Sequence, residues 1–129
     1  MKRLTLIALL VAATVGLTCF AAQPTMKKEK LFHVVSLKFK ASAKPEDIKK
    51  VEAAFADLKN KIPQIATLEW GTNNSPEKHD KGFTHCFVLC FDDDKARDVY
   101  LTHPDHQTFG KLVGPLLDDV FVIDFVARK

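Results

Sequence analysis

The chain has 129 residues, 47% hydrophobic and 27% charged, with 19 Lys+Arg against 16 Asp+Glu and a formal charge of +3. That length holds one domain, and the composition is that of a globular protein, which excludes a disordered or fibrous one. Lys2 and Arg3 belong to an N-terminal leader and no acid precedes Glu29, so the mature charge is +1, short of the concentrated basic face a nucleic-acid binder needs.

Met1-Lys2-Arg3 is a basic start, Leu4 to Leu17 is an apolar run, and Cys19-Phe20-Ala21-Ala22 leads into Gln23-Pro24. Charged start, apolar middle and small-residue exit describe a secretory signal peptide. Cleavage after Ala21 puts Cys19 and Ala21 at the small-residue positions. The expected organisation is a signal peptide over 1–21, a charged lead-in over 22–30 and one domain over 31–129. Two other readings stay open: an uncleaved anchor, since Leu4 to Ala22 just spans a thin bilayer, and a lipoprotein processed at Cys19. All three export the chain, to the periplasm or beyond, and beyond this segment no membrane contact is expected. Disulfides are possible there, but Cys86 and Cys90 lie four apart in one predicted strand. Their Cα atoms are then about 13 Å apart, too far to bridge. Both are expected to be free, buried thiols, and an extended x-x-x spacing does not converge two sulfurs on one metal.

From Leu31 to Lys40 apolar residues alternate, with Leu31, His33, Val35, Leu37 and Phe39 on one face, the mark of a half-buried strand. Pro45 then opens a helix, with Glu46 and Asp47 at its positive end. Ile48, Val51, Phe55, Leu58 and Ile62 form its apolar stripe, and Pro63 stops it. Ile65 to Gly71 reads as a second strand, and Thr72 to Gly82 as a loop. Phe83 to Phe91 is a third strand, apolar on both faces and therefore expected to be covered on both. Asp92-Asp93-Asp94 caps a second helix, interrupted at Pro104 and resumed to about Leu117, with Gly114-Pro115 disturbing its last turn. Val120 to Ala127 closes the chain as a fourth strand.

The order β-α-β-β-α-β is the split βαβ arrangement of an α+β, ferredoxin-like domain: a four-stranded, mainly antiparallel sheet with two helices on one face. Its other face needs cover. A twofold homodimer closed through the sheet faces into a dimeric α/β-barrel is the economical answer.

The motifs His33-Val34-Val35-Ser36-Leu37-Lys38-Phe39-Lys40, Ile62-Pro63, Glu69-Trp70-Gly71, Gly82-Phe83-Thr84-His85, Tyr100-Leu101-Thr102-His103-Pro104-Asp105-His106 and Phe109 together resemble the stress-responsive A/B barrel (Dabb) domain over about Leu31 to Lys129. The resemblance implies a ferredoxin-like protomer and a homodimer. Most members have no assigned reaction; a few are cofactor-free enzymes, among them a plant polyketide cyclase and, on related dimeric barrels, oxygenases. In the cyclase a histidine and a tyrosine between helices and sheet close a ring by an aldol-type step. By resemblance, His106 matches that histidine and Tyr100 that tyrosine, while His33, His85 and His103 have histidine counterparts. Phe55 stands where the cyclase has a tyrosine, and Phe87 where it has a smaller aliphatic residue.

The chemistry suits the residue types. Neutral imidazole takes a proton alpha to a carbonyl near neutral pH, and a phenol or a second imidazole N–H holds the resulting oxyanion. Each residue also has a plain structural reading. His103-Pro104-x-His106 can bond backbone left open by proline; His33 and His85 can be satisfied core histidines; Tyr100 can anchor its helix. His79 is expected in solvent and Trp70 in packing. The expected site is a small apolar ligand cavity per protomer, lined by His33, Phe55, His85, Phe87 and His103 around Tyr100 and His106, with no metal and no cofactor. The leading expectation is an exported binding or stress-protective homodimer. The alternative is a cofactor-free cyclase-, lyase- or monooxygenase-like enzyme with His106 as base and Tyr100 as proton donor.

Overall fold

Alternation along the first strand, β1 (Leu31–Phe39), sets the sheet. Leu31, His33, Val35 and Leu37 are buried on its helix side, and the residues between them are half-buried. In the computed structural model, which describes residues 29–128, β1 is a central strand of an antiparallel sheet. The sheet runs in the order β2-β3-β1-β4, with β2 at Thr67–Thr72, β3 at His85–Phe91 and β4 at Leu117–Val126. Helices α1 (Pro45–Lys61), α2 (Asp94–Thr102) and α3 (Pro104–Val113) complete the βαββαβ order, the second predicted helix being two helices meeting at a break. The leader over 1–21 and most of the charged lead-in lie outside the described residues. Among the described residues, no helix is long and apolar enough to cross a membrane.

Helix α1 follows its stripe. Pro45 fills its first turn, Glu46 and Asp47 face its positive end, Lys59 and Lys61 its negative end, and Val51, Phe55 and Leu58 are buried. Ile62, Ile65, Phe87, Leu89 and Phe91 complete the layer between helices and sheet. In α2, Asp93 is the cap, its carboxylate accepting from the Ala96 N–H at 2.9 Å.

Three boundaries differ from the sequence reading. β2 begins at Thr67 rather than Ile65, because the Ile65 N–H donates to the Ile62 carbonyl at the end of α1 while the side chain plugs the core. β3 begins at His85 rather than Phe83, because the Phe83 N–H closes a turn onto the Asp80 carbonyl. β4 begins at Leu117, three residues before Val120. The helix stops at Val113, Gly114–Leu116 forms a 3-10 turn, and the Lys40 N–H donates to the Leu116 carbonyl. Lys38 pairs with Asp119 in the ladder and its ammonium meets Asp118, the residue skipped at the bulge, at 3.0 Å.

The loop before β3 is built tightly. Asp80 accepts from the Gly82 N–H at 2.7 Å and from the Asn73 amide at 3.2 Å. Gly82 has φ +88, and a Cβ there would lie 2.8 Å from Lys38 Cε. Gly82→Ala should therefore cost about 1–2 kcal/mol, chiefly from the left-handed backbone, measured as a lower urea midpoint with an unchanged slope.

Among the described residues, no helix packs on the sheet's other face. Cys90 is buried, but Cys86 is exposed in the single chain rather than buried; both are free thiols. Phe32 and Phe125 stack across strands there at 5.3 Å.

Candidate active site

A break in the helix builds the first part of the site. His103 is extended, as a residue before proline must be, and its Nδ1 caps α3 by accepting from the Asp105 N–H at 3.2 Å. In an unbroken helix that N–H would serve the Leu101 carbonyl, four residues back. The carbonyl instead accepts from His106 Nδ1 at 3.1 Å and from Gln107 Nε2 at 2.8 Å. Because a carbonyl only accepts, His106 carries its proton on Nδ1 and keeps the lone pair on Nε2. Burial pushes the His106 imidazole below its ordinary value, against the Leu101 bond and assisted by His33, so the ring is neutral at pH 7.

Tyr100 packs against this ring at 4.4 Å between centroids and against His33 at 5.6 Å. Burial, with Asp124 adding its charge, pushes the phenol well above its ordinary value; its hydroxyl stays a donor. His33 sits opposite Asp124 in the β1–β4 register, and its Nδ1 donates to Asp124 Oδ1 at 2.5 Å. Arg97 on α2 holds the other carboxylate oxygen. Burial would raise the Asp124 carboxyl, but the His33 and Arg97 hydrogen bonds outweigh it and hold the group below the usual carboxylate range. His33, Tyr100 and His106 thus form one contiguous acid–base group, backed by an aspartate and an arginine.

His85 belongs elsewhere. It pairs with Leu37, four residues along β1 from His33, which is about 13 Å. Its Nε2 donates to Glu52 Oε1 at 2.9 Å, and its Nδ1 lies 2.8 Å from the Thr84 hydroxyl. Between the two histidine centres the interior is packed: Phe55 and Phe87 stack at 3.8 Å, with Phe109 and Trp70 flanking them. Of the seven residues expected around one cavity, three share a site, His103 caps the helix beside it, Phe55 and Phe87 fill the core, and His85 forms a second centre. A cleft of about 720 Å³ lies around the open sheet face and the loop before β3, bordered by Ser36, Trp70, His79, Phe83, Cys86 and Phe121; His85 alone of the expected residues lines it. Among the described residues, no three His, Cys, Asp or Glu side chains converge as metal ligands do.

The sequence reading missed Asp124, Arg97 and Glu52. Asp124 had a signal, since it is the one acid inside the apolar run Val120 to Val126. Arg97 and Glu52 lie on exposed-looking helix faces and carried none.

The split βαββαβ sheet with helices on one face defines a ferredoxin-like domain, and between its helices and sheet His33, Tyr100 and His106 lie in ring contact. The family model described as Stress responsive A/B Barrel Domain (Dabb) matches residues 31–127, and the chain belongs to that family. It is 25% identical to olivetolic acid cyclase of Cannabis sativa over 97 residues, 75% of this chain and 96% of the cyclase. The crystal structure of At3g17210 from Arabidopsis thaliana superposes with a TM-score of 0.72 at 32% identity, covering 77% of this chain and 96% of that one. A dimeric ferredoxin-like protein from Jannaschia superposes with a TM-score of 0.66 at 25% identity, covering 74% and 97%.

Proposed function

We propose that the protein is an exported homodimer whose His33–Tyr100–His106 group moves protons on a small apolar carbonyl compound without a cofactor. The observation that carries this reading is His106: a neutral ring with Nδ1 bonded to main chain, its Nε2 lone pair available, and a protonated phenol in ring contact. His106 Nε2 takes a proton from the carbon alpha to a carbonyl, the electron pair moves to the carbonyl oxygen, and the Tyr100 hydroxyl donates to that oxyanion. The cyclase and the dimeric relative support the reaction class and the assembly. The basic-apolar-small leader over 1–21 supports export.

The test needs no known substrate. Deuterium wash-in alpha to the carbonyl is followed by NMR over a panel of small apolar ketones and aldehydes. His106→Ala should lower the rate by about 100-fold or more and Tyr100→Phe by about 10-fold or more. A panel that the wild type leaves unexchanged, or a His106→Ala variant with wild-type rates, would sink the proposal. Fold loss does not confuse the result, because Gln107 continues to serve the Leu101 carbonyl when His106 is removed, so the variant should lose less than about 1 kcal/mol.

His106 also gives a pH signature. Its folded value lies below the ordinary 6.5, so the unfolded chain binds the extra proton first. That contribution is complete above about pH 6.5 and is lost as pH falls toward the folded value. His106→Ala should flatten the fall in stability over that window.

One observation favours a second, non-catalytic reading, a binding or stress-protective module: Phe55 and Phe87, 1% and 0% exposed and stacked at 3.8 Å, put ring volume into the space between helices and sheet. Under that reading His106→Ala leaves every measured rate unchanged.

A further inference from the structure

A second line of proton donors and acceptors runs apart from the His33–Tyr100–His106 group. His85 is buried at the start of β3, its ring packed against Phe39 at 5.1 Å and Trp70 at 6.4 Å between centroids. Glu52 on α1 accepts from its Nε2 at 2.9 Å. Nδ1 is then the acceptor of the ring, and the Thr84 hydroxyl donates to it at 2.8 Å. Thr84 is itself fixed in place. Its N–H donates to the Leu37 carbonyl at 3.0 Å, and its carbonyl accepts from the Asn73 N–H at 2.8 Å. The His85 side chain is 8% exposed, whereas Thr84 at the outer end is exposed and borders the cleft of about 720 Å³.

We propose that Thr84 is a nucleophile, with His85 as its base and Glu52 orienting that base, and that the cleft takes carboxylic esters of small apolar acids. A hydroxyl, a base within hydrogen-bond reach and a carboxylate behind the base are the parts that acyl transfer needs. Thr84 Oγ bonds to the acyl carbon while its proton passes to His85 Nδ1. The carbonyl electron pair moves to oxygen, then returns as the bond to the alcohol breaks. The departing alcohol takes the proton from Nδ1. Water repeats both steps on the acyl-threonine, releasing the carboxylic acid and restoring Thr84. Glu52 keeps the other proton on Nε2 and balances the imidazolium that forms between the steps. Phe83, Val88 and Phe121 give the cleft apolar walls for the acyl group, and a cation at Lys81 on its border favours the oxyanion. None of these residues belongs to the proton-transfer group proposed above, so the two centres stand or fall separately.

The test uses the full chain, with p-nitrophenyl butyrate as the ester and a fluorophosphonate as the covalent probe, located by peptide mass spectrometry. The wild type should hydrolyse the ester, and the label should sit on Thr84. Thr84→Val keeps the shape without the hydroxyl and should lower the rate by about 100-fold or more. Thr84→Ser restores a hydroxyl and should stay within about tenfold of wild type. Glu52→Gln should lose about tenfold or more, because an amide no longer fixes the proton on Nε2. Circular dichroism melts show which variants fold, and labelling of the wild type carries the test where one does not. A wild type that neither hydrolyses the ester nor takes the label overturns the proposal, as does a label on any other residue. Wild-type rates in Thr84→Val or Glu52→Gln, or a Thr84→Ser variant as slow as Thr84→Val, also overturn it. So does a label that reaches Thr84 only after dilution to monomer, since the cleft would then be closed in the assembled protein.

Discussion

Phe87→Ala should lower the melting temperature by roughly 15–30 °C, enough to leave much of the protein unfolded at 37 °C. Phe87 is 0% exposed at the centre of β3, stacked on Phe55 with 9° between the ring planes and flanked by Trp70. Truncating such a ring removes its transfer free energy and leaves a cavity the stack cannot collapse into, together about 3–5 kcal/mol. A small domain has about 5–15 kcal/mol in all. Phe87→Leu keeps most of the volume and should cost under about half as much. Thermal melts by circular dichroism decide the matter, and a drop below about 5 °C for Phe87→Ala would show that the stack is not the centre of the core.

Asp124→Ala should cost about 2–4 kcal/mol, the largest effect expected from any residue of the site outside the aromatic core. Removing the carboxylate leaves the His33 Nδ1–H, in a ring 5% exposed, without its acceptor, and takes one partner from Arg97. Arg97 retains Asp98 at 2.8 Å, so Arg97→Ala should cost less. The carboxyl is held below its ordinary 3.8, which fixes the sign of the pH effect. Its contribution is complete above about pH 4 and is lost as pH falls through the folded value, because the unfolded chain takes up the proton first. Urea midpoints from pH 2 to 6 should show a steeper acid fall in the wild type than in Asp124→Asn. Parallel curves would mean that the aspartate does not discriminate between folded and unfolded chains.

The periodic elements were legible because local physics decided them. The alternation from Leu31 and the stripe from Val51 to Ile62 each specify one face, and the structure buries those faces. The ends of elements were not legible, because tertiary bonds set them: Ile65 is held by the end of α1, and Leu117 enters the sheet between Leu116, which accepts from the Lys40 N–H, and Asp118, which pairs with Lys38. The site was half legible. Tyr100 and His106 stand close in sequence around a proline, and the family resemblance named them. His85 and His33 look equivalent in sequence, each on an apolar strand face; the register separates them, placing Asp124 opposite one while α1 supplies Glu52 to the other. Those carboxylates come from elements 91 and 33 residues distant, beyond what spacing can reveal.

β4 also sets a hazard for the newly made chain. Val120-Phe121-Val122-Ile123 is uncharged, rich in β-branched and aromatic residues and free of proline, the composition that stacks into fibrils when many copies meet before they pair correctly. Asp118 and Asp119 stand before it and Asp124 directly after it, where like charges on stacked chains repel. The aspartate that holds His33 in the finished protein therefore also acts as a gatekeeper during folding, and neutralising it would expose the chain to aggregation as well as to instability.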